Sequence, residues 1–163
     1  VTIYLFFLLA NIIASPFNGL LTDKMLSKAG IQSESKVDFI SLIIREVIRA
    51  IKFELMKLLL IIFLFLLGII ITAIPVLGVF IATIINFTGN TYLSLVDYFD
   101  PGLSYLGFNV SEKFRYVRRI IKQSWSFFLF SGFFMYIPLI NIIYIPLAVV
   151  TANLVIIEKQ KSE

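Results

Sequence analysis

Two long uncharged runs organise this chain, and each follows a basic cluster. Leu58 to Val96 holds 39 residues without a charge, and Gln123 to Ile157 holds 35. The first has Ile74-Pro75-Val76-Leu77-Gly78 near its middle, and the second has Tyr136-Ile137-Pro138-Leu139-Ile140-Asn141. The central proline comes 18 residues after Lys57 in one run and 16 after Lys122 in the other. A continuous helix over the first run would be about 58 Å long, roughly twice the hydrocarbon core of a bilayer. Proline lacks a backbone donor and breaks such a helix. The pattern therefore predicts an internal pseudo-repeat of two helical hairpins, 58–96 and 123–157. The usable arms of the first, Leu58 to Ala73 and Phe80 to Leu95, would each reach about 24 Å, short of a full crossing. The basic clusters Lys24–Lys57 and Lys113–Lys122 flank this hairpin and belong on the same, cytoplasmic side. Each hairpin is thus expected to enter partway and return to the side it left. Its Pro-Gly tip then needs shielding by protein or water, because lipid cannot satisfy free backbone groups.

The remaining segments read in order. Val1 to Leu21 is almost wholly apolar and predicts a transmembrane helix with a cytoplasmic extension, 1–30. Pro16, with Asn18-Gly19 beside it, predicts a kink or restart. Thr22 to Lys36 reads as an aqueous loop containing a helix stop at Ala29-Gly30. Over 37–57, Ile40, Ile44, Val47, Ile48, Ile51 and Leu55 recur at helical spacing, with Asp38, Ser41, Arg45, Arg49 and Lys52 opposite. This amphipathic helix should lie along the headgroups or root the next helix. Asp97 to Asn109 reads as a polar connection with turn chemistry at Asp100-Pro101-Gly102 and Leu106-Gly107. Ser111-Glu112 opens a basic helix, 111–122, and Pro138 and Pro146 interrupt the second hairpin. Trp125 and Tyr136 are candidate interfacial anchors. The expected fold is an all-α integral membrane protein forming a single membrane domain over 1–163. It comprises a long transmembrane helix, two hemi-penetrating (re-entrant) hairpins and a basic amphipathic helix.

Composition supports this reading and narrows the chemistry. The chain is 60% hydrophobic, against about 45–50% for soluble domains. A net charge of +4 fits lysines and arginines kept on the cytoplasmic side, and no aromatic ladder accompanies them to suggest nucleic acid. There is no cysteine and no histidine, which excludes disulfides, thiol catalysis, Ser-His-Asp triads and the usual zinc sites. Asp97 and Asp100 have no third carboxylate at a metal-loop spacing, so neither a metal nor another cofactor is expected. The chain opens on Val1 inside an apolar run and reads as an N-terminally truncated fragment, and Val1 to Leu21, without a basic n-region, does not read as a secretory signal.

Candidate path-lining residues are Asn11 and Asn18 on the first helix and Arg45 and Arg49 on the amphipathic one. Amides in a membrane helix either bond a neighbouring helix or line a polar route. Arginines at a pore mouth collect anions. The apolar runs contain no Asp, Glu or His, so a proton relay would have to use Glu46 or Glu54 at their margin.

These landmarks resemble the CysZ sulfate permease family of bacterial inner membranes, in order, along nearly all of the chain. The resemblance rests on Asn11-Ile12-Ile13-Ala14-Ser15-Pro16-Phe17-Asn18-Gly19-Leu20-Leu21, on Arg45 to Lys57 followed by Pro75, and on Asp97-Tyr98 and Gly107-Phe108. It rests also on Ile137-Pro138-Leu139-Ile140-Asn141 through Pro146-Leu147-Ala148-Val149. It implies a multi-pass inner-membrane homo-oligomer of two transmembrane helices and two hemi-penetrating hairpins. The implied function is uptake of sulfate, or the related sulfite, for cysteine synthesis, with no nucleic-acid partner. Two departures stand out. The family's Leu-Pro-Arg is here Ile62-Phe63-Leu64, and the Asp100-Pro101-Gly102 region is shifted. The family's sulfate motif, of Gly-hydrophobic-Arg-Arg type, has no counterpart in this chain, so the resemblance assigns no sulfate ligand here. The alternative reading is a non-transport scaffold whose hairpins shape the bilayer. An enzyme is the poorest fit, because general acids and bases are scarce.

Overall fold

The computed structural model describes residues 2–31, 39–74 and 77–162. They form six helices: α1 (Thr2–Lys28), α2 (Phe39–Thr72), α3 (Leu77–Tyr105), α4 (Val110–Gln123), α5 (Trp125–Met135) and α6 (Pro138–Ser162). The described residues form helices joined by short turns, with no strand among them. Among the described residues, three segments are long and apolar enough to cross a membrane: Val47–Thr72, Leu77–Tyr105 and Ile143–Lys161. It is a membrane protein. Pro75, and the side chains of Asn11, Arg45, Glu46 and Asn141, lie outside the described residues.

α1 runs unbroken through Pro16 and on to Lys28, so Asp23 and Lys24 are helical and do not belong to a loop. It ends where Ala29-Gly30 was expected to stop it. Gly30 has φ 83°, and the Ile31 amide reaches back to the Leu26 carbonyl at 3.0 Å. This left-handed closure favours glycine, since a Cβ there is strained.

The amphipathic stretch and the first hairpin arm are one helix, α2. Its faces are sorted for lipid. Ile44, Ile48, Ile51 and Leu55 point outward, while Phe53, Glu54 and Lys57 face the protein interior. The hairpin then folds α3 back along α2. Gly89 packs against Leu64 so closely that a Cβ would lie 2.6 Å from a Leu64 methyl, and Gly68 faces Asn86. Small residues let two membrane helices approach, where no hydrophobic effect drives them together.

The sequence reading of Asp97 to Asn109 as a loop is overturned. α3 continues through Asp97, Asp100 and Pro101 to Tyr105, and its last turns are the most buried part of the chain. The disfavoured α conformation before proline is tolerated because packing and charge pairing fix this segment. The helix closes instead at Gly107, with φ 79° and a Phe108 amide donating to the Leu103 carbonyl. Asn109 then caps α4 through a complete capping box with Glu112, two residues ahead of the Ser111 start read from sequence.

The second hairpin also differs in detail. α5 and α6 meet at Tyr136–Ile137, and α6 begins at Pro138, a position that suits proline's fixed φ. Pro146 lies inside α6 without interrupting it. α3 is the central helix: α1, α2, α4, α5 and α6 all pack on it. The core gathers at its C-terminal half, where Leu95, Val96, Phe99 and Leu103 meet Leu26, Val117, Phe128, Val149 and Ile156. By contrast, the hairpin's far half exposes Phe63, Phe65, Ile70, Leu77 and Phe80, a surface suited to lipid.

A charge-paired cavity at the root of the first hairpin

α1, α2, α3, α5 and α6 line a cavity of about 350 Å³ beside the buried half of α3. Its apolar wall includes Phe53, Ile61, Leu93, Ile145 and Val149. Its polar wall includes Ser15 and Asn18 from α1, Arg49, Glu54 and Lys57 from α2, and Asn90, Ser94, Asp97 and Asp100 from α3.

The charges come together because the hairpin sets their register. Glu54 and Lys57 are three residues apart on α2, and Asp97 and Asp100 are three apart on α3, so each pair shares a helix face. Folding α3 back on α2 brings the faces together. Lys57 Nζ donates to Glu54 Oε1 at 2.7 Å and to Asp97 Oδ2 at 2.8 Å. Arg49 Nε stands 3.4 Å from Asp100 Oδ2, and Arg49 Nη1 donates to the Asp100 carbonyl at 3.3 Å. From α4, Lys113 Nζ donates to Asp100 Oδ1 at 2.6 Å and to Ser104 Oγ at 2.5 Å. Three cations and three carboxylates thus form two linked groups. The one around Lys57 is acid-rich, and the one around Asp100 is base-rich.

Burial explains why the pairing is so complete. Glu54 and Lys57 are each only 7% exposed, Asp100 5% and Lys113 4%. An unpaired charge at that depth costs several kcal/mol, about 3–5 when one partner of a buried pair is removed. Chemically, the site offers fixed cations and amides to an anion, with every cation already shared with a carboxylate. An entering anion therefore has to compete with Glu54, Asp97 or Asp100 for its contacts.

Of the four residues singled out from sequence, Asn18 and Arg49 line this cavity together. Asn11 and Arg45 cannot be placed, since their side chains lie outside the described residues. The sequence reading put Asp97 and Asp100 in a loop, and it treated Lys57 and Lys113 as markers of topology, resemblance and helix charge without naming them as site residues. One signal was available. In an antiparallel hairpin centred near Pro75, residues about equally far from the tip meet, and Lys57 and Asp97 are such a pair. Asn90 and Ser94, at helical spacing toward the same face, would have followed.

A second polar contact ties the bundle together. Asn153, buried on α6, donates its Nδ2 to Thr22 Oγ1 on α1 at 2.9 Å.

No solved structure matches the chain. Curated proteins do: the "Sulfate transporter CysZ" of Vibrio cholerae strain O395 is 32% identical over 92% of this chain. The proteins of the same name from strains M66-2 and N16961 match equally. The chain spans 60% of the length of these relatives. The family described as "Sulfate transporter CysZ/Etoposide-induced protein 2.4" matches residues 1–146, and the chain belongs to that family.

Proposed function

We propose that this chain is the greater part of a sulfate permease of the bacterial inner membrane, supplying sulfur for cysteine synthesis. The observation that carries the reading is the match to the Vibrio sulfate transporters along 92% of the chain. The cavity supports it, because it presents Arg49, Lys57, Asn18, Asn90 and Ser94 to one small space inside a membrane protein. A scaffold has no use for such a space, and nothing favours that alternative.

Sulfate enters against a membrane potential that is negative inside, which costs a dianion about 4.6 kcal/mol per 100 mV. The route is channel-like and drawn by consumption, or it is proton-assisted. In the second case Glu54 and Asp97 are the groups to carry the proton, since both contact Lys57. Protonating either would weaken its hold on the lysine and leave more positive charge for the anion.

The two arms of the first hairpin are long enough to cross, and what supports re-entry is how close the charge cluster lies to the tip. From Lys57 to the end of α2 at Thr72 is roughly 22 Å of helix, shorter than the ~30 Å core. A tip that crossed fully would leave the charge cluster deep in hydrocarbon. A tip that stops partway keeps Lys57 and Asp97 near the headgroups on the side of the basic clusters. The exposed apolar flanks of both hairpins then meet lipid or further copies in a homo-oligomer.

The test is uptake of labelled sulfate by proteoliposomes holding the full-length protein. Uptake above that of empty vesicles is expected, with a fall of about tenfold or more for Arg49→Gln and for Asn18→Leu, in line with losing a charged or polar contact. No uptake by the intact protein would end the permease reading. Unaltered uptake in both variants would remove this cavity from the path.

A further inference from the structure

α4 carries a second cationic feature, separate from the cavity. Arg115, Arg118, Arg119 and Lys122 fall at i, i+3, i+4 and i+7, which puts all four on one face of the helix. All four are exposed. The opposite face, Lys113, Val117 and Ile120, is buried against the protein. The helix's one carboxylate, Glu112, is occupied in the Asn109 capping box. Among the described residues none of the four forms an ion pair. This differs from the cavity, where each cation has a carboxylate.

The position of the stripe identifies its partner. Immediately after Lys122 the chain turns at Ser124 and enters α5, whose exposed side is apolar apart from Ser126. Trp125 is 60% exposed there, and Leu129, Phe130 and Phe133 follow it outward. Within a few residues the outer surface passes from four cations to tryptophan to leucine and phenylalanine. That sequence matches the order of layers at a bilayer edge: phosphate, glycerol level, acyl chain.

We propose that the α4 stripe is a docking surface for anionic phospholipid headgroups. Their phosphates bridge Arg115, Arg118, Arg119 and Lys122, and their acyl chains lie along Trp125, Phe130 and Phe133. Guanidinium groups suit this role because each gives a planar pair of donors to a phosphate. The surface fixes the depth of α4 and, through the α4–α5 junction, the depth at which the second hairpin enters. The inference stands whether or not the protein carries sulfate.

The experiment compares the full-length protein in mixed micelles containing phosphatidylglycerol or phosphatidylcholine, with retained lipid counted by native mass spectrometry and melting followed by circular dichroism. Phosphatidylglycerol should be retained preferentially and should raise the melting point, while inorganic phosphate at equal concentration should not. Changing all four residues to Gln should cut phosphatidylglycerol retention by about tenfold or more, given the roughly additive pull of each basic residue on an anionic surface. The all-lysine variant, Arg115→Lys with Arg118→Lys and Arg119→Lys, should keep most of it. Equal retention of the two lipids by the unaltered protein overturns the proposal, and this comparison needs no variant to fold. So does an equal rise in melting point with inorganic phosphate, which marks a small-anion site. Undiminished retention in a folded Gln variant overturns it as well.

Discussion

Lys57 on α2 and Asp97 on α3 are joined across the first hairpin, with Nζ 2.8 Å from Oδ2, in a part of the protein where the lysine is 7% exposed. The contact does two things. It makes the hairpin's register visible in a single pair, and it neutralises a carboxylate that the helix carries into the interior.

Replacing Lys57 with Met should therefore leave both Glu54 and Asp97 without their shared cation. The expected loss is about 3 kcal/mol of stability, at the lower end for a buried pair because the Asp97 side chain is 27% exposed. Unfolding in mixed micelles measures it. Adding Asp97→Asn to the lysine change should recover part of the loss, whereas additive losses would mean that the two residues do not interact.

Asn153→Leu should remove the bond between α6 and α1 and leave Thr22, 1% exposed, without its donor. The new side chain also meets Gly102, which already faces Asn153 Oδ1 closely enough that a Cβ there would lie 2.5 Å away. A cost of about 1–3 kcal/mol is expected from the buried polar group, with the crowding added to it. An unchanged melting point would show that this contact contributes nothing.

Gly132 sets the distance between α5 and α3. A Cβ at that position would lie 2.6 Å from Thr91 Oγ1 and 2.7 Å from the Phe87 ring. Gly132→Ala should separate the second hairpin from α3 and cost about 1–3 kcal/mol by overpacking. Combining it with Phe87→Leu should return some of the loss. If the double variant is no better than the single one, the Phe87 ring is not what the new methyl strikes.

The hairpin tip offers a direct reading of depth. The chain has no cysteine, so Leu77→Cys, at an exposed position beside the tip, and Lys122→Cys give single reporters wherever the rest of the protein has none. A membrane-impermeant maleimide added outside spheroplasts should label neither, and added to inverted vesicles should label Lys122→Cys only. Strong labelling of Leu77→Cys from outside would mean that the first hairpin crosses the whole bilayer.

How much of this was legible beforehand differs by kind of feature. The helices, the two uncharged runs and the breaks near Pro75 and at Pro138 follow from local rules: run length against bilayer thickness, and proline's missing donor. So do the closure of α1 at Gly30 and the basic face of α4, since both depend on neighbouring residues alone. The stretch from Asp97 to Tyr105 was misread for the same reason. Asp-Pro-Gly is turn chemistry when judged by its neighbours, and nothing within it reveals that Lys57, Arg49 and Lys113 stand ready to neutralise its carboxylates.

The sequence by itself determined where this chain is apolar and where its two hairpins turn, near Pro75 and at Pro138. Only the tertiary structure decided which charges share a cavity and that α3 stays helical through Pro101. A buried carboxylate is tolerated only beside a cation, and its cation here comes from another helix, brought near by the hairpin register and by the docking of α4.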